Sequence, residues 1–343
     1  MIQATLKELG KIELEDINRR KLNPGEVRLK VISCAICGSD IRIYNYGNSR
    51  VKLPHVIGHE VVGKIIEVTD GCNLNIGDYC CFAADLPCGK SNCRYCSVGN
   101  FSSCNENLAI GYQFDGGFAE EMIIPEVCWK YGMGSFKSFK YNGDERNLYK
   151  YSLTEPLACA VHGVSALHVQ RKDRVLIFGG GPIGLMLGHL CSKVHQCESV
   201  TIVELAQSRI DLIRKLFPQF IVVNDASLLD SEYDVIFTAN SVPECHKRAV
   251  DLAAKDGRIN LFGGLGKSED VPLDTNKIHY KQLIVTGTHG SRSSDFEMAF
   301  NLIKDNFIDV EKYITALYSL NNINEAFESA KNLCNLKIIV KPE

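Results

Sequence analysis

The stretch Val175-Leu176-Ile177-Phe178-Gly179-Gly180-Gly181-Pro182-Ile183-Gly184 decides the fold of the second half of this chain. Its apolar start predicts a buried strand, and the residues from Pro182 onward predict an apolar helix. The glycines have the G-x-G-x-x-G spacing, in which backbone N–H groups and a helix N-terminus can approach a pyrophosphate. Glycines in an ordinary tight turn are the alternative. The candidate cofactor-binding residues of this loop are Gly179, Gly181, Pro182, Ile183 and Gly184.

The segment that follows supports a dinucleotide site. Val200-Thr201-Ile202-Val203 predicts a second strand, which ends at Glu204. Dinucleotide folds place an acidic residue about 20 residues beyond the glycine loop, where it accepts the ribose hydroxyls and repels a 2′-phosphate. Glu204 therefore favours NAD over NADP. Arg209 could lie on the adenosine side of the cofactor, although a solvated helix charge is the alternative.

Strands and helices alternate around these two segments. A helix-like stretch runs from Glu155-Pro156 to His168, and further strand-like runs come later in the chain. This alternation predicts a doubly wound parallel sheet with helices on both faces. The later strand-like runs are Val235-Ile236-Phe237, Ile259-Asn260-Leu261-Phe262 and Leu283-Ile284-Val285-Thr286.

The two ends of the chain have a different pattern. Residues 1 to about 125 contain short strand-like runs such as Val27-Arg28-Leu29-Lys30-Val31, separated by glycine turns. Many short strands of this kind predict a compact, barrel-like β domain. The tail predicts a helix from Asp295, a second helix from Asn322 to Leu333 and a closing strand at Lys337-Ile338-Ile339-Val340.

Composition narrows the class of protein. A chain of 343 residues suggests about two domains, and 45% hydrophobic residues predict packed cores. The net charge of −3 does not indicate binding to nucleic acid or to an anionic membrane. No apolar run approaches a membrane span, and Met1 leads directly into strand-like sequence, so we expect a cytoplasmic protein. In that compartment the 15 cysteines are expected to be metal ligands or buried apolar residues.

Four cysteines form a cluster with the spacing C-x4-C-x2-C-x7-C. Cys88, Cys93, Cys96 and Cys104 lie among Gly, Lys, Asn and Arg residues. Four thiolates on a polar loop predict a structural Zn²⁺ site that holds irregular backbone in place. An iron–sulfur cluster and scattered buried thiols are the alternatives.

A second set combines three ligand types. Cys37 offers a thiolate, His59 an imidazole and Glu60 a carboxylate. Sites with only cysteine ligands are usually structural, whereas three mixed ligands leave a fourth position open for a reactant. This set therefore predicts a catalytic Zn²⁺ site.

These features, in this order, resemble the zinc-dependent medium-chain alcohol dehydrogenase family. The resemblance covers essentially the whole chain and is closest to its sorbitol (L-iditol) and threonine dehydrogenase branch. The motifs that carry it are Cys37-Gly38-Ser39-Asp40, Gly58-His59-Glu60, Asp115-Gly116-Gly117-Phe118-Ala119-Glu120 and Glu155-Pro156-Leu157-Ala158.

The resemblance implies a domain plan. A GroES-like β-rich catalytic domain would comprise residues 1–154 and 290–343, and a Rossmann NAD-binding domain would comprise residues 155–289. It also implies two Zn²⁺ ions per chain, one catalytic and one structural, and a homodimer or homotetramer. Leu283-Ile284-Val285-Thr286 could extend a sheet across subunits.

The resemblance also implies residue roles. Cys37, His59 and Glu60 would bind the catalytic Zn²⁺, with Glu155 beside it. Ser39 would accept the proton of the alcohol, although a turn-capping serine is the alternative. For Glu155 the alternative is a carboxylate that stabilises a helix start.

Departures from the family pattern qualify these roles, among them Thr69 where a glycine is common. The first gap in the cysteine loop is four residues where two are usual. Arg42 occupies a position where a proton-relay histidine is common, so Arg42 could instead bind an anionic substrate. Arg50 and Lys52 lie nearby in sequence, although such a trio is usually a solvated face.

The predicted function is the reversible, NAD-linked oxidation of a polyol or other sugar alcohol, with or without a phosphate, to a ketose. Within the enzymes, L-threonine 3-dehydrogenase or another secondary-alcohol dehydrogenase is the alternative. A catalytically silent, zinc-bearing structural or binding protein is the alternative from a different class.

Overall fold

The computed structural model describes residues 1–229, 232–266 and 270–342. The strands, numbered along the chain, are β1 (Ile2–Glu8), β2 (Lys11–Asp16), β3 (Val27–Ala35), β4 (Glu60–Val68), β5 (Tyr79–Phe82), β6 (Asp85–Leu86), β7 (Leu108–Ala109), β8 (Glu121–Ile124), β9 (Phe136–Phe139), β10 (Arg174–Phe178), β11 (Ser199–Val203), β12 (Ile221–Val223), β13 (Tyr233–Thr238), β14 (Ala253–Leu261), β15 (Ile284–Gly287), β16 (Ile314–Ser319) and β17 (Lys337–Lys341). The helices are α1 (Gly38–Tyr46), α2 (Glu126–Lys130), α3 (Thr154–Ser165), α4 (Pro182–Lys193), α5 (Gln207–Leu216), α6 (Pro243–Leu252), α7 (Thr275–Tyr280), α8 (Ser293–Lys304) and α9 (Ile323–Ala330).

The chain divides into two compact units. The first comprises Met1–Ala158 and Gly290–Glu343, and the second comprises Cys159–His289. The sequence interpretation placed the first boundary a few residues earlier, after residue 154. The difference arises because α3 is one continuous helix through this point, so no loop marks the boundary.

A central strand, β3, organises the first unit. The main sheet has the order β16-β17-β3-β4-β5-β9, and β8 also pairs with β3. One edge of β3 is therefore covered by β8 near its start and by β17 near its end, both antiparallel to it. The tail strand β17 is thus part of the N-terminal unit, and Cys37 follows directly where β3 ends.

The second unit is the predicted doubly wound sheet. Its six strands have the order β12-β11-β10-β13-β14-β15, and all five pairings are parallel. The strand order reverses at β10, where β11 lies on one side and β13 on the other. In open sheets of this kind, ligands bind outside the carboxyl ends of the strands at the reversal point. The glycine loop follows β10 and therefore lies at that point.

Burial explains why the sequence of β10 has no alternation. Val175, Leu176 and Ile177 are fully buried and Phe178 nearly so, because helices cover both faces of a parallel sheet. The four-residue apolar run was the feature that predicted this strand. Within the described ranges, no helix combines the length and the apolar character that a membrane span requires.

Candidate metal and dinucleotide sites

The mixed ligand set comes together at the end of β3. Cys37 is the residue that precedes α1, and Glu60 is the first residue of β4, with His59 just before it. Ala35 at the end of β3 pairs with Glu60, so the two strand ends are adjacent. One ligand atom from each of Cys37, His59 and Glu60 lies within 4.8 Å of the other two. Antiparallel pairing therefore brings together three residues that are separated in sequence.

Asp40 orients the imidazole of His59. The Asp40 carboxylate accepts a hydrogen bond from the Cys37 N–H at 2.9 Å through Oδ2, and its Oδ1 lies 3.3 Å from His59 Nδ1. Both Oδ1 and Nδ1 are buried and lack a hydrogen bond of good geometry. Metal-binding histidines commonly turn their second ring nitrogen toward a carboxylate. The donor types and this buried pair fit a Zn²⁺ ion bound through His59 Nε2.

The charges around Cys37, His59 and Glu60 favour binding of a cation. Burial alone would lower the pKa of His59, but Asp40 and Cys37 together raise it well above its usual 6.5. The same negative surroundings that favour a proton on this ring would favour a metal ion in its place. Ligand groups must lose their protons to bind metal, so such sites couple metal binding to proton release.

Glu155 lies in the same electrostatic environment. It is buried on α3, and burial is the main cause that raises its pKa to about 7. The negative charge of Glu60 raises this pKa further, whereas His59 and Lys337 lower it. A carboxyl group that titrates near neutrality can both hold and release a proton. A simple helix-start carboxylate would be solvated, and the burial of Glu155 argues against that alternative.

Ser39 lies beside the ligand nitrogen of His59. Its Oγ is 3.4 Å from His59 Nε2. The sequence interpretation missed Tyr112, whose ring centre lies 5.8 Å from that of His59. Burial raises the pKa of Tyr112, while the charge of His59 and a hydrogen bond with Ser39 partly offset this rise. Its place just before the Asp115-Gly116-Gly117 motif was the signal that could have found it.

The three basic residues near the metal loop have different environments. Arg42 and Lys52 are exposed, in agreement with a solvated face. The guanidinium carbon of Arg50 lies 5.1 Å from the ring centre of Tyr112, and Arg50 donates to Asn107 Oδ1 at 2.7 Å. Arg50 is therefore the basic residue of the three that reaches a side chain of the candidate site.

The sequence interpretation also missed Lys337. This residue was assigned only to the closing strand β17, yet its ammonium donates to both carboxylate oxygens of Glu60, at 2.6 Å for Oε2. The two side chains are 4% and 0% exposed. No sequence spacing could reveal the contact, because the partners are 277 residues apart.

The four cysteines of the predicted structural site also come together. One Sγ atom from each of Cys88, Cys93, Cys96 and Cys104 lies within 4.8 Å of the others. The Cys93 and Cys104 sulfurs are 3.7 Å apart, which is too long for a disulfide bond. Backbone N–H groups of Cys96 and Tyr95 lower the pKa of Cys93 to about 6. Four free thiols around one point, one of them readily ionised, fit a tetrahedral metal ion despite the longer first gap.

The glycine loop connects β10 to α4 and contacts Glu204. Gly179 has φ +105, which side chains rarely tolerate, and its carbonyl leaves no room for a side chain at Gly184. The Glu204 carboxylate accepts hydrogen bonds from Gly180 N–H at 3.0 Å and Ala206 N–H at 2.9 Å. Glu204 is thereby fixed at the carboxyl end of β11, facing the loop.

The N-terminus of α4 is free to bind an anion. Gly181 precedes the helix without a side-chain hydrogen bond to its first turn, and Pro182 is the first helical residue. A side chain at Gly181 would meet only the Arg209 guanidinium, at 3.9 Å. Open space at the start of a helix, next to a cation, fits a pyrophosphate.

The alternative for Arg209, a solvated helix charge, is wrong. Arg209 is buried on α5, and its Nη1 donates to the carbonyl of Gly180 at 3.3 Å. Arg209 is the third residue of α5, and the sequence alone could not show that α5 packs against the glycine loop.

A cavity of about 430 Å³ in the first unit lies apart from these sites. Its lining includes Arg19, Arg28, His55 and Glu121, and it includes none of the seven candidate metal ligands. The buried Arg28 pairs with Glu67 and lies 3.9 Å from Glu121, which also pairs with Arg19, so these charges largely neutralise one another.

Comparisons with known proteins agree with this geometry. Residues 23–132 match the alcohol dehydrogenase GroES-like domain, and residues 153–341 match the glucose dehydrogenase C-terminus. The second match alone spans more than half of the chain. The chain belongs to the zinc-dependent medium-chain alcohol dehydrogenase family. Membership confirms the resemblance drawn from the motifs and makes the protein an NAD(P)-linked oxidoreductase.

Individual members of the family show how far the likeness extends. A sorbitol dehydrogenase of Halalkalibacterium halodurans is 27% identical over 92% of this chain and 92% of its own. An L-threonine 3-dehydrogenase of Caldanaerobacter subterraneus is 29% identical over 100% of this chain and 99% of its own. The crystal structure of galactitol-1-phosphate dehydrogenase from Escherichia coli has a TM-score of 0.85 at 23% identity, over 100% of both chains. The last likeness shows the shared fold.

Proposed function

We propose that this enzyme oxidises a secondary alcohol of a polyol or sugar alcohol to a ketose, reversibly, with NAD⁺ as the hydride acceptor. A catalytic Zn²⁺ ion would be held by Cys37, His59 and Glu60. The single observation that carries the proposal is the convergence of these three ligand atoms within 4.8 Å of one another. Mixed thiolate, imidazole and carboxylate ligands leave a coordination position for substrate, as catalytic sites require.

The chemistry divides between bound groups and the protein. Zinc, when bound, supplies the Lewis acidity that favours loss of the alcohol proton, and NAD⁺ accepts the hydride. The Ser39 hydroxyl, 3.4 Å from the ligand nitrogen His59 Nε2, would relay that proton by accepting it while passing its own proton on to water. The Tyr112 ring packs beside His59, and Asp40 orients the ring of His59.

Glu155 is assigned to the same reaction. Its pKa of about 7 leaves it able to take up a proton near the ligand set during the forward reaction and return it in the reverse reaction.

The cofactor assignment rests on the second unit. Gly179, Gly181, Pro182, Ile183 and Gly184 form the turn and helix start that receive the pyrophosphate. Arg209 donates a hydrogen bond to the Gly180 carbonyl in this turn. Glu204, which accepts from Gly180 N–H, binds the ribose hydroxyls. A carboxylate at that position disfavours the extra phosphate of NADP.

Two substrate variants have specific support. Threonine is the first, because an L-threonine 3-dehydrogenase matches this chain at 29% identity over its full length. A phosphorylated polyol is the second, because Arg50 contacts Tyr112 and forms no ion pair within the described part of the chain. An unneutralised guanidinium near the site would bind a phosphate or carboxylate.

A substrate screen tests the proposal. Purified enzyme is loaded with zinc, and NAD⁺ reduction is followed at saturating sorbitol, xylitol, arabitol, galactitol, their phosphates, inositols and L-threonine. Turnover of a polyol with kcat/KM at least about tenfold above that of threonine supports the proposal, a difference of about 1.4 kcal/mol in transition-state binding. Preferred turnover of threonine supports the alternative, and no turnover of any compound contradicts both.

Metal analysis tests the site itself. The native enzyme should hold two zinc ions per chain, and Cys37→Ala should hold one and lose activity. Cys334→Ala is the matched control, because Cys334 is exposed and belongs to neither ligand set. One zinc per chain in both the native enzyme and Cys37→Ala would contradict the mixed site and favour a silent zinc-bearing protein.

We also infer a reducing, cytoplasmic location and a homodimer or homotetramer. All 15 cysteines are free thiols, as a reducing compartment would maintain them. The outer edge of the parallel sheet is β15, where Ile284 is 55% exposed. An exposed strand edge of this kind can pair with a second copy of itself.

A further inference from the structure

Lys337 and Glu60 form a buried ion pair that the proposed reaction does not use. The Lys337 ammonium donates to both Glu60 oxygens and lies 3.5 Å from the carbonyl of Ile36. Exposures of 4% and 0% leave no room for bulk water to solvate either charge. A buried charge without its partner is strongly unfavourable, so each of the two groups depends on the other when no metal ion is bound.

The fold places this pair at the metal-ligand set. Lys337 begins β17 and Glu60 begins β4, and these two strands lie on opposite sides of β3. Cys37 follows the end of β3 and therefore lies between the starts of the two neighbouring strands. Lys337 reaches across that end to Glu60 on the far side.

If Glu60 binds both the Lys337 ammonium and a metal ion, the two cations repel each other. Any Zn²⁺ ion on a Glu60 oxygen would lie about 2.1 Å from it, and Lys337 Nζ is 2.6 Å from Oε2. The ammonium and the metal ion would therefore be within about 5 Å of each other in a buried site. Like charges at that distance and in low dielectric repel strongly.

We propose that Lys337 is a positioning residue that competes with the metal ion for Glu60 and makes the mixed site an exchangeable zinc site. When the metal ion is absent, Lys337 keeps the Glu60 carboxylate paired and in place. When the metal ion is present, the ammonium weakens the binding of the metal ion to Glu60. The inference rests on the proposed function, because it takes Cys37, His59 and Glu60 as zinc ligands.

The cysteine loop provides the contrast within the same chain. Its ligands are four thiols, and its neighbour Lys90 is 57% exposed and pairs with Glu106 at 2.6 Å. A solvated, paired ammonium repels a metal ion far less than a buried one. The mixed site should therefore release zinc faster than the cysteine loop does.

The test measures zinc release from the loaded enzyme. Native enzyme and variants are saturated with zinc, mixed with excess EDTA, and sampled over time for protein-bound zinc. The trace of Cys37→Ala, which keeps only the cysteine-loop zinc, assigns the two phases. The loop phase then serves as an internal standard for folding in every variant.

The charge of Lys337 is the quantity to vary. We expect zinc release from the mixed site to be at least about tenfold slower in Lys337→Met and Lys337→Gln, because the like-charge repulsion is lost. Lys337→Arg retains the charge and should release zinc at the native rate. Lys341→Met, the same change at the other end of β17, should also match the native rate. Both neutral variants should stay folded when loaded with zinc, because the bound zinc supplies the cation that Glu60 needs.

Each outcome decides the inference. Slower release in both neutral variants, with native rates in Lys337→Arg and Lys341→Met, supports it. Unchanged or faster release in the neutral variants overturns it, since Lys337 would then only orient Glu60. Native enzyme with a single zinc, held in the cysteine loop, overturns both the inference and the mixed site of the proposed function. Two zincs with unchanged release overturn the inference alone.

Discussion

At the residue scale, the proposed preference for NAD over NADP rests on Glu204. Its carboxylate is held by the N–H groups of Gly180 and Ala206, so its position at the end of β11 is fixed before any cofactor binds. A preorganised carboxylate binds ribose hydroxyls without paying to order a flexible side chain. It also presents a fixed negative charge where the 2′-phosphate of NADP would lie.

Glu204→Ser should move the preference from NAD toward NADP. Removing the negative charge takes away the repulsion of the 2′-phosphate and the acceptor for the ribose hydroxyls. We expect the ratio of kcat/KM for NAD⁺ to that for NADP⁺ to fall at least about tenfold, which corresponds to about 1.4 kcal/mol. Steady-state kinetics with each cofactor measure it. Glu198→Ser, at an exposed residue directly before the same strand, is the control and should leave the ratio unchanged.

At the element scale, two irregular segments hold the sites. The turn from β10 to α4 depends on the backbone conformation of glycine, and the loop from Cys88 to Cys104 depends on its four thiols. Between β10 and α4, and from Cys88 to Cys104, the described backbone forms neither a strand nor an α-helix. The turn contains a residue with positive φ, and two short 3₁₀ turns, Cys96–Val98 and Phe101–Ser103, are the helical parts of the loop.

Gly179→Ala should distort the glycine turn. Its φ of +105 lies outside the region that alanine tolerates, and an added Cβ would lie 3.1 Å from the carbonyl of Ala239. We expect a loss of about 1–3 kcal/mol in the free energy of unfolding and at least tenfold weaker NADH binding. Denaturant titration and NADH fluorescence measure the two effects. Gly264→Ala, where a Cβ meets open space, should change neither; equal effects in both variants would refute the role of the turn.

Cys104→Ser should release one zinc and leave the other. A tetrahedral site that loses one of four thiolates binds Zn²⁺ much more weakly, and the loop has little regular structure to keep its shape. We expect one zinc per chain and rapid protease cleavage between Cys88 and Cys104, measured by metal analysis and mass spectrometry. Cys334→Ser, an exposed cysteine outside both sets, is the control. Full retention of two zincs in Cys104→Ser would show that the loop does not bind the second ion.

At the scale of the whole molecule, the two edge strands of the parallel sheet are candidate contacts between copies of the chain. The sheet ends at β12 on one side and β15 on the other. Next to β15, Tyr280 is 76% exposed, and Ile284 within it is 55% exposed. An apolar strand edge with unpaired backbone groups invites pairing with another copy.

Ile284→Lys should therefore convert the oligomer to smaller species. A charge at the centre of a two-fold strand pairing faces its own copy, which is unfavourable. Light scattering coupled to size exclusion measures the mass. Ile221→Lys is a matched control, because Ile221 is 53% exposed on the opposite edge strand. Dissociation by Ile221→Lys and not by Ile284→Lys would place the interface at β12 instead.

Local patterns predicted most of the elements of the second unit. The apolar run of β10, the glycine loop and the strand before Glu204 were all recognised, because a buried parallel strand and a helix start are encoded by neighbouring residues. Short strands of the first unit, such as β5 and β9, were not identified individually. Their residues are buried by partners far away in the sequence, so local alternation is weak.

The sequence by itself determined the fold class, the family and the identity of the seven candidate metal ligands. Ligand types and glycine spacing are chemical requirements that a chain must carry in its residues. Only the tertiary structure decided that Arg209 is buried against Gly180, that Tyr112 packs beside His59 and that Lys337 pairs with Glu60. Those contacts arise from strand pairing and helix packing between distant segments, and no local spacing encodes which distant charges will meet.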